Sequence, residues 1–456
     1  MKDLIKALIV FPAYLFVGPM IGLWLKGNRT GQRWLFGLML FMTSWQPGKI
    51  TLMLNSIETY RGHTKGFEFS FIEVLAVGLL VACRRTPMPG GKMDRLVPWG
   101  VWAYLFWTVV CCFGIVNAYE PIYVLMGFWK FSKAVLLLWA AYHFFRDEDD
   151  LPSVLRAMAF MLVVQALVGL KMRVLEGRFQ IKGWFEHQNP MAMWAYMTAI
   201  PVAAAAFAPQ PKTRDWLFYV AGLGAAALCI LLSVSRAALA FFALGVMAVL
   251  GLAMLRGLNQ RTIGLAVVLA VGGGLAGLVA TDSLRSRMDS VKEAGETSEL
   301  DLRDVMILQS KAMLADHFLG VGWNNFGIAN SRPRGDKYSE ILEEWERSRG
   351  HRIYDEDFQA NPLTESLYWL FLAENGWPGF LAFFVFAAFT LWWCWKAWRR
   401  GRGMVSIFAG AWMVALSLFY VHGLVERILT QTKNLSLWLL VTGFVGGLAA
   451  RGTRKA

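Results

Sequence analysis

Charge is scarce in this chain. Only 17% of its 456 residues are Asp, Glu, Lys or Arg, 56% are hydrophobic, and mean hydropathy is +0.44. That balance excludes an ordinary soluble domain, which needs a polar surface. Short segments of alternating hydrophobicity are lacking, which excludes a transmembrane β-barrel. The five cysteines make no CxxC or Cys/His spacing. Cys83, Cys229 and Cys394 sit in or at the end of apolar runs, and Cys111-Cys112 are adjacent inside another. Neither a metal site nor a disulfide framework follows from that pattern. No internal repeat or low-complexity segment is evident. The first apolar run, Leu4 to Leu25, lacks a small-residue cleavage site and reads as a retained span rather than a signal peptide. The net charge of +13 has no compact basic domain behind it, which argues against nucleic acid as a partner. Many of the Lys and Arg fall in short loops, as membrane topology demands.

What the chain has instead is apolar runs of spanning length from end to end. They fall at roughly 4–25, 34–56, 68–83, 98–117, 121–145, 151–172, 189–208, 215–235, 236–255, 262–280, 377–397, 403–424 and 433–450. The expected fold is all-α: a polytopic membrane protein with about 12 transmembrane helices and one long extracytoplasmic loop containing short helices. Residues 1–280 would form an N-terminal transmembrane bundle, 281–376 the loop region, and 377–456 the C-terminal helices. The 21 Trp and 32 Phe suit lipid-facing surfaces and interfacial belts. Gln46-Pro47-Gly48 breaks the second run, a pattern that suits a re-entrant segment. Basic loops at 84–95, 256–261, 396–402 and 451–455 belong in the cytoplasm. That assignment puts outside the 281–361 stretch, the 173–188 loop, the Ser235-Arg236 junction and the 425–432 loop. Thirteen spans with a cytoplasmic C-terminus would leave the N-terminus outside. Discounting one of the first two runs gives twelve, with both ends inside.

Polar residues concentrate on that outer face. Trp184-Phe-Glu-His-Gln-Asn-Pro190 precedes a span, with Asn189 suited to the N-cap and Pro190 to the first helical position. Read for function, His187 and Asn189 make a polar corner at the membrane surface. Ser233-Val-Ser-Arg236 joins two apolar runs. An arginine there is costly unless it faces a polar cavity, and its guanidinium matches phosphate in bidentate fashion, with Ser235 beside it as a further donor. Asp301-Leu-Arg303-Asp304 opens a helical stretch to Ala315, and surface Arg beside Asp is usually an ordinary ion pair. A second helical pattern runs from Tyr338 to Arg349, acid first and base last. Gly320-Val-Gly322-Trp-Asn-Asn-Phe326 permits tight turning but has no GKS/T to make a phosphate loop. Thr364-Glu365-Ser-Leu-Tyr368 to Gly379 reads as an amphipathic helix, a break and a span. Glu365, Tyr368 and Leu372 fall near one face, and Glu365 is a candidate general base.

The order of these elements resembles the bacterial O-antigen ligase and O-antigen polymerase superfamily. The elements are Phe185-Glu-His187-Gln-Asn189, Ser235-Arg236, Arg303, Asp316-His-Phe-Leu-Gly-Val-Gly-Trp323-Asn-Asn325-Phe326, and Glu365-Ser-Leu-Tyr368 to Gly379. The likeness is clearest from about 178 to 395. The N-terminal third is loosely similar to exosortase-associated members.

The resemblance implies a membrane glycosyltransferase without cofactor or metal, working by inversion. Its donor would be an undecaprenyl-pyrophosphate-linked glycan and its acceptor a hydroxyl of a glycan, lipid A-core or protein. Its place would be the bacterial inner membrane, with the active site facing the periplasm. Arg236 and Arg303 would bind the donor pyrophosphate. Asn189, Ser235, Trp323, Asn325 and Tyr368 would line the substrate path. Glu365 would be the base, with His187 as the second candidate. Ligases of the family usually carry His-Asn where Glu365-Ser366 stand here, which tilts the reading toward a polysaccharide polymerase. Ligase and protein O-oligosaccharyltransferase are alternatives of the same chemistry. A lipid-linked glycan flippase is a more distant one, supported mainly by Lys130 and Lys133 inside a span.

Overall fold

The computed structural model describes residues 2–45, 52–57, 60, 62–83, 95–208, 212–255, 257, 260–269, 299–331, 337–349 and 363–451. It is an α-helical membrane bundle, as the apolar runs predict. Its spanning helices in chain order begin with α1 (Asp3–Trp24), α2 (Arg29–Met42), α3 (Phe71–Cys83), α4 (Trp99–Asn117), α5 (Pro121–Phe144) and α6 (Asp150–Val174). Next come α7 (Gln188–Phe207), α8 (Thr213–Ser233), α9 (Arg236–Met254) and α10 (Gln260–Leu269, to the last described residue). Three short helices follow: α11 (Glu299–Asp316), α12 (Phe326–Ser331) and α13 (Lys337–Arg349). The chain then returns through α14 (Leu367–Arg400), α15 (Gly403–His422) and α16 (Thr432–Arg451). Ten of these helices are long and apolar enough to cross a membrane. One small element was not expected. Leu52–Leu54 (β1) pairs antiparallel with Phe67–Phe69 (β2), Leu52 opposite Phe69.

Helix α7 is the axis, buried along its whole spanning window, and α16 is nearly so. Its run of Ala, with Met and a single Trp194, lets α6, α8, α9 and α15 approach closely. Lipid offers no hydrophobic drive between helices, so such close packing has to do that work.

Salt bridges and capping bonds fix one end of the bundle. Arg29 at the start of α2 ion-pairs with buried Asp150 and donates to Phe144 O at 2.6 Å. Arg33 reaches Asp150 at 2.9 Å and Asp147 at 3.2 Å. Arg451 at the end of α16 donates to the carbonyls of Tyr142 and Phe145 at 2.5 and 2.6 Å. The starts of α2 and α6 and the ends of α5 and α16 therefore share a face.

The opposite face holds the start of α1, the β1–β2 hairpin and the start of α16. Lys6 of α1 donates to Met53 O at 2.8 Å, and both line one cavity with Lys433 of α16. Residues near the two termini thus lie on opposite faces, so the first two runs both cross. The reading that placed both ends on one side is corrected. The Gln46-Pro47-Gly48 break lies outside the described residues, as do residues 270–298, 332–336 and 350–362 of the long loop. Arg261 at the head of α10 reaches Thr213 on the first face, whereas Arg303 of α11 meets Glu365 on the second.

Helix α14 is broken, as expected, and the glycine turn explains how. Gly376 takes φ 58°, ψ −168°, which opens the helix after Asn375. The carbonyls of Ala373 and Glu374, left without helical partners, accept from Val321 N at 2.9 Å and Gly322 N at 3.0 Å. Trp377 N returns a bond to Phe318 O at 3.2 Å. A Cβ on Gly376 would stand 2.0 Å from Phe318 O, and one on Gly320 2.4 Å from Glu374 O. Both glycines are required by this backbone contact.

Candidate functional site

The turn and its neighbours form a buried polar knot. Asn324 Oδ1 accepts from His63 N at 2.6 Å, and Asn324 Nδ2 donates to Thr64 O at 3.1 Å. Asn325 Oδ1 accepts from Glu120 N at 2.9 Å. His63 Nε2 donates to Glu374 Oε2 at 2.5 Å, with both side chains wholly buried. Trp323 packs on Phe131 at 4.6 Å and beside Trp107. Trp323 and Asn325 therefore sit inside the protein, and neither is in the wall of the large cavity described below. Their contacts hold the turn against the hairpin loop and α5.

Beside the knot, on the same face, charged and polar groups gather from four segments. Arg303 of α11 ion-pairs with Glu365 through Nε and Oε2, side chains 32% and 41% exposed. Glu365 precedes α14 rather than riding on it, because Ser366 takes the N-cap position. Asn189 of α7 donates through Nδ2 to Glu426 Oε1 at 2.5 Å. Arg427 donates to Leu363 O at 2.9 Å. Glu426 and Arg427 lie in the loop between α15 and α16.

Burial pushes the Glu426 carboxyl up to about 7, and the charge of Glu365 pushes the same way. The Asn189 hydrogen bond and the charges of Arg303 and Arg427 oppose the rise. Burial also lowers Arg427 from the usual guanidinium range. Two carboxylates and two guanidiniums thus act on one another, and one of the acids is poised near neutrality.

The remaining sequence candidates are placed as follows. His187, exposed, is the N-cap of α7, its Nδ1 accepting from Asn189 N at 3.4 Å; the cap lies two residues earlier than Asn189. Ser235 is the N-cap of α9, and Arg236 opens that helix, exposed and with no ion-pair partner among the described residues. Within α9, Phe241 packs against His422 at 4.9 Å, and His422 Nδ1 bonds the Tyr196 hydroxyl at 3.1 Å. The α9 entry is thus tied to the end of α15, four residues before Glu426. Tyr368 donates to Tyr420 O and stacks on Phe384.

The cluster borders a cavity of about 1060 Å³ on the same face. Pro190, Leu363 and Arg427, each next to a cluster member or part of it, lie in its wall with His63, Lys130 and Lys433. Sequence reasoning missed Glu426, Arg427 and His63. The 425–432 loop had been placed outside, and its Glu-Arg pair was the available signal.

Residues 221–384 match the family model described as O-antigen ligase. The match takes in Arg236, Arg303, the glycine turn, Glu365 and Tyr368, and leaves out His187, Asn189 and Glu426. No curated protein matches the chain.

Proposed function

Starting from a multi-pass membrane protein that belongs, through residues 221–384, to the O-antigen ligase superfamily, we propose that it is a polysaccharide polymerase. It joins an undecaprenyl-pyrophosphate-linked glycan to the hydroxyl of an acceptor glycan, on the periplasmic face of a bacterial inner membrane. The observation that carries this reading is the meeting of Arg303, Glu365, Asn189, Glu426 and Arg427 beside one large cavity.

The acceptor oxygen attacks the anomeric carbon from the face opposite the leaving group. The bond from that carbon to the pyrophosphate oxygen breaks, and the lipid pyrophosphate departs. Negative charge grows on it as the sugar becomes cationic, and fixed guanidiniums stabilise that charge. Arg303 and Arg236 serve here, Arg303 held in place by Glu365. Pyrophosphate leaves readily, so the chemistry makes no demand for a metal.

The hydroxyl proton goes to Glu426. A carboxylate poised near 7 both accepts a proton readily and is substantially ionised at neutral pH. Glu365, engaged by Arg303, has its carboxylate oriented toward the guanidinium instead. His187 serves instead as a helix cap at the α7 entry, its Nδ1 accepting from Asn189 N.

The test is reconstitution with a lipid-pyrophosphate donor, followed by a glycan gel of a deletion strain. A polymerase leaves single units attached when deleted; loss of all attached glycan would make the protein a ligase instead. Full activity in chelator is expected, and rescue of a chelator-inactivated enzyme by magnesium would contradict the metal-free step.

A further inference from the structure

We infer that the cavity beside the charged cluster binds an acidic saccharide, one carrying carboxylate or phosphate groups. This rests on the transferase reading and specifies its substrate class. At about 1060 Å³ the cavity has room for a short oligosaccharide. Among the described residues its wall carries Lys6, Lys130, Lys182, Arg427 and Lys433 against Glu68 and Glu186.

Most of these cations are anchored on carbonyls of the wall itself. Lys130 Nζ donates to His63 O at 2.7 Å and Thr430 O at 2.6 Å, with Glu68 at 4.0 Å. Lys433 donates to Trp184 O and lies over the Phe185 ring. Lys182 reaches Glu186 O at 3.3 Å, Lys6 reaches Met53 O, and Arg427 reaches Leu363 O. A carbonyl orients an ammonium but does not neutralise it, and each ammonium has three donors. Asp3 at 3.2 Å offsets Lys6, Glu68 offsets Lys130, and Glu365 and Glu426 act on Arg427, so the remaining positive charge sits on Lys182 and Lys433, against Glu186. The rule that gathers Lys and Arg on one side of a membrane does not explain this set. Arg399, Arg400 and Arg451 already mark the opposite face. An anionic ligand accounts for the excess.

The probe is oligogalacturonate, with a neutral oligosaccharide of equal length and farnesyl pyrophosphate as comparators, titrated into the purified full chain in nanodiscs. The acidic sugar should bind at least about tenfold more tightly than the neutral one, and less so at high salt. Lys182→Gln with Lys433→Gln should erase the difference, whereas Lys396→Gln at the opposite face should keep it. Lys182→Gln alone, at a half-exposed side chain, should weaken it in the same direction and answers if the double variant does not fold.

Equal binding of acidic and neutral sugars overturns the inference, as does an equal loss in Lys396→Gln. Displacement of the acid by farnesyl pyrophosphate alone also overturns it, by making the cavity a pyrophosphate seat. Binding needs no turnover, so Glu426→Gln should still bind; failure of the transferase reading is therefore read separately. Elongation of the acidic sugar marks it as acceptor, and competition with the lipid-linked donor marks it as the donor's glycan.

Discussion

Glu426 and Glu365 are both carboxylates on one face, and their surroundings separate them. Glu365 is paired to Arg303 and partly open to solvent; Glu426 is held by Asn189 in a more enclosed place. A raised carboxyl works as a base only after it ionises, so transfer should rise with pH through about 7. Glu426→Gln should lower kcat by about 10²–10⁴ and abolish that limb. A pH profile of the residual activity checks this; an unchanged limb would assign the proton to another group. The linkage sign runs the other way for stability. The neutral acid contributes fully below the ordinary carboxylate range, and the contribution is lost as pH rises through about 7. Glu426→Gln should therefore lose less thermal stability than wild type as pH rises from the ordinary carboxylate range to about 7. Arg303→Ala should cost about 10²–10³ in kcat, as loss of a transition-state charge partner does. Glu365→Gln should cost less, because it removes only the group that positions Arg303. The arginines and Glu365 were legible in the sequence because each sits in an ordered motif. Glu426 was not, since a lone Val-Glu-Arg-Ile in a short loop has no signature; only the folded chain brings it to Asn189, 237 positions away.

The motif Gly320–Phe326 and the broken helix α14 are one structural device. The turn supplies N–H donors to the carbonyls that the kink at Gly376 leaves unmet, and those carbonyls in turn satisfy the N–H groups of the glycine turn. Gly376→Ala meets both a backbone oxygen at 2.0 Å and a φ that L residues rarely adopt. The strain alone costs about 1–3 kcal/mol. Lower folded yield and a lower melting temperature in detergent are expected, with wild-type behaviour counting against the docked turn. His63 ties the hairpin region to the same device through Glu374. His63→Ala would leave a wholly buried carboxylate with only Phe326 N, at 3.2 Å, among the described residues. That should destabilise the fold by about 3–5 kcal/mol, read by thermal unfolding. The sequence showed the break and the glycines, since Gly and Pro mark them directly. It did not show that the two segments dock, because backbone pairing between residues some fifty apart leaves no residue-type trace. His63 was silent for the same reason, 311 positions from its partner.

At the scale of the whole molecule, hydropathy gave the helices and almost all of their edges, because in lipid each backbone group must be satisfied within its own helix. It was ambiguous where α2 is short, 14 residues before a Gln-Pro-Gly break, and this decided whether both of the first two runs cross. The ion pairs of Arg29 and Arg33 with Asp150 resolve it by fixing the head of α2 on the face of the α5–α6 connection. Its other end, through Phe41 and Trp45, meets Trp184 on the site face. Both α1 and α2 then cross, and the start of α1 must lie on the face of the charged cluster. A membrane-impermeant thiol reagent applied to intact cells with a permeabilised outer membrane tests this. Asp3→Cys should label, and Arg402→Cys, in the α14–α15 connection, should label only after the inner membrane is opened. The five native cysteines are buried or half-buried and give a low background. Labelling of both positions from one side would mean that one of the first two runs does not cross. It would also move Lys6 away from the cavity wall, and with it one of the cations on which the acidic-saccharide inference stands.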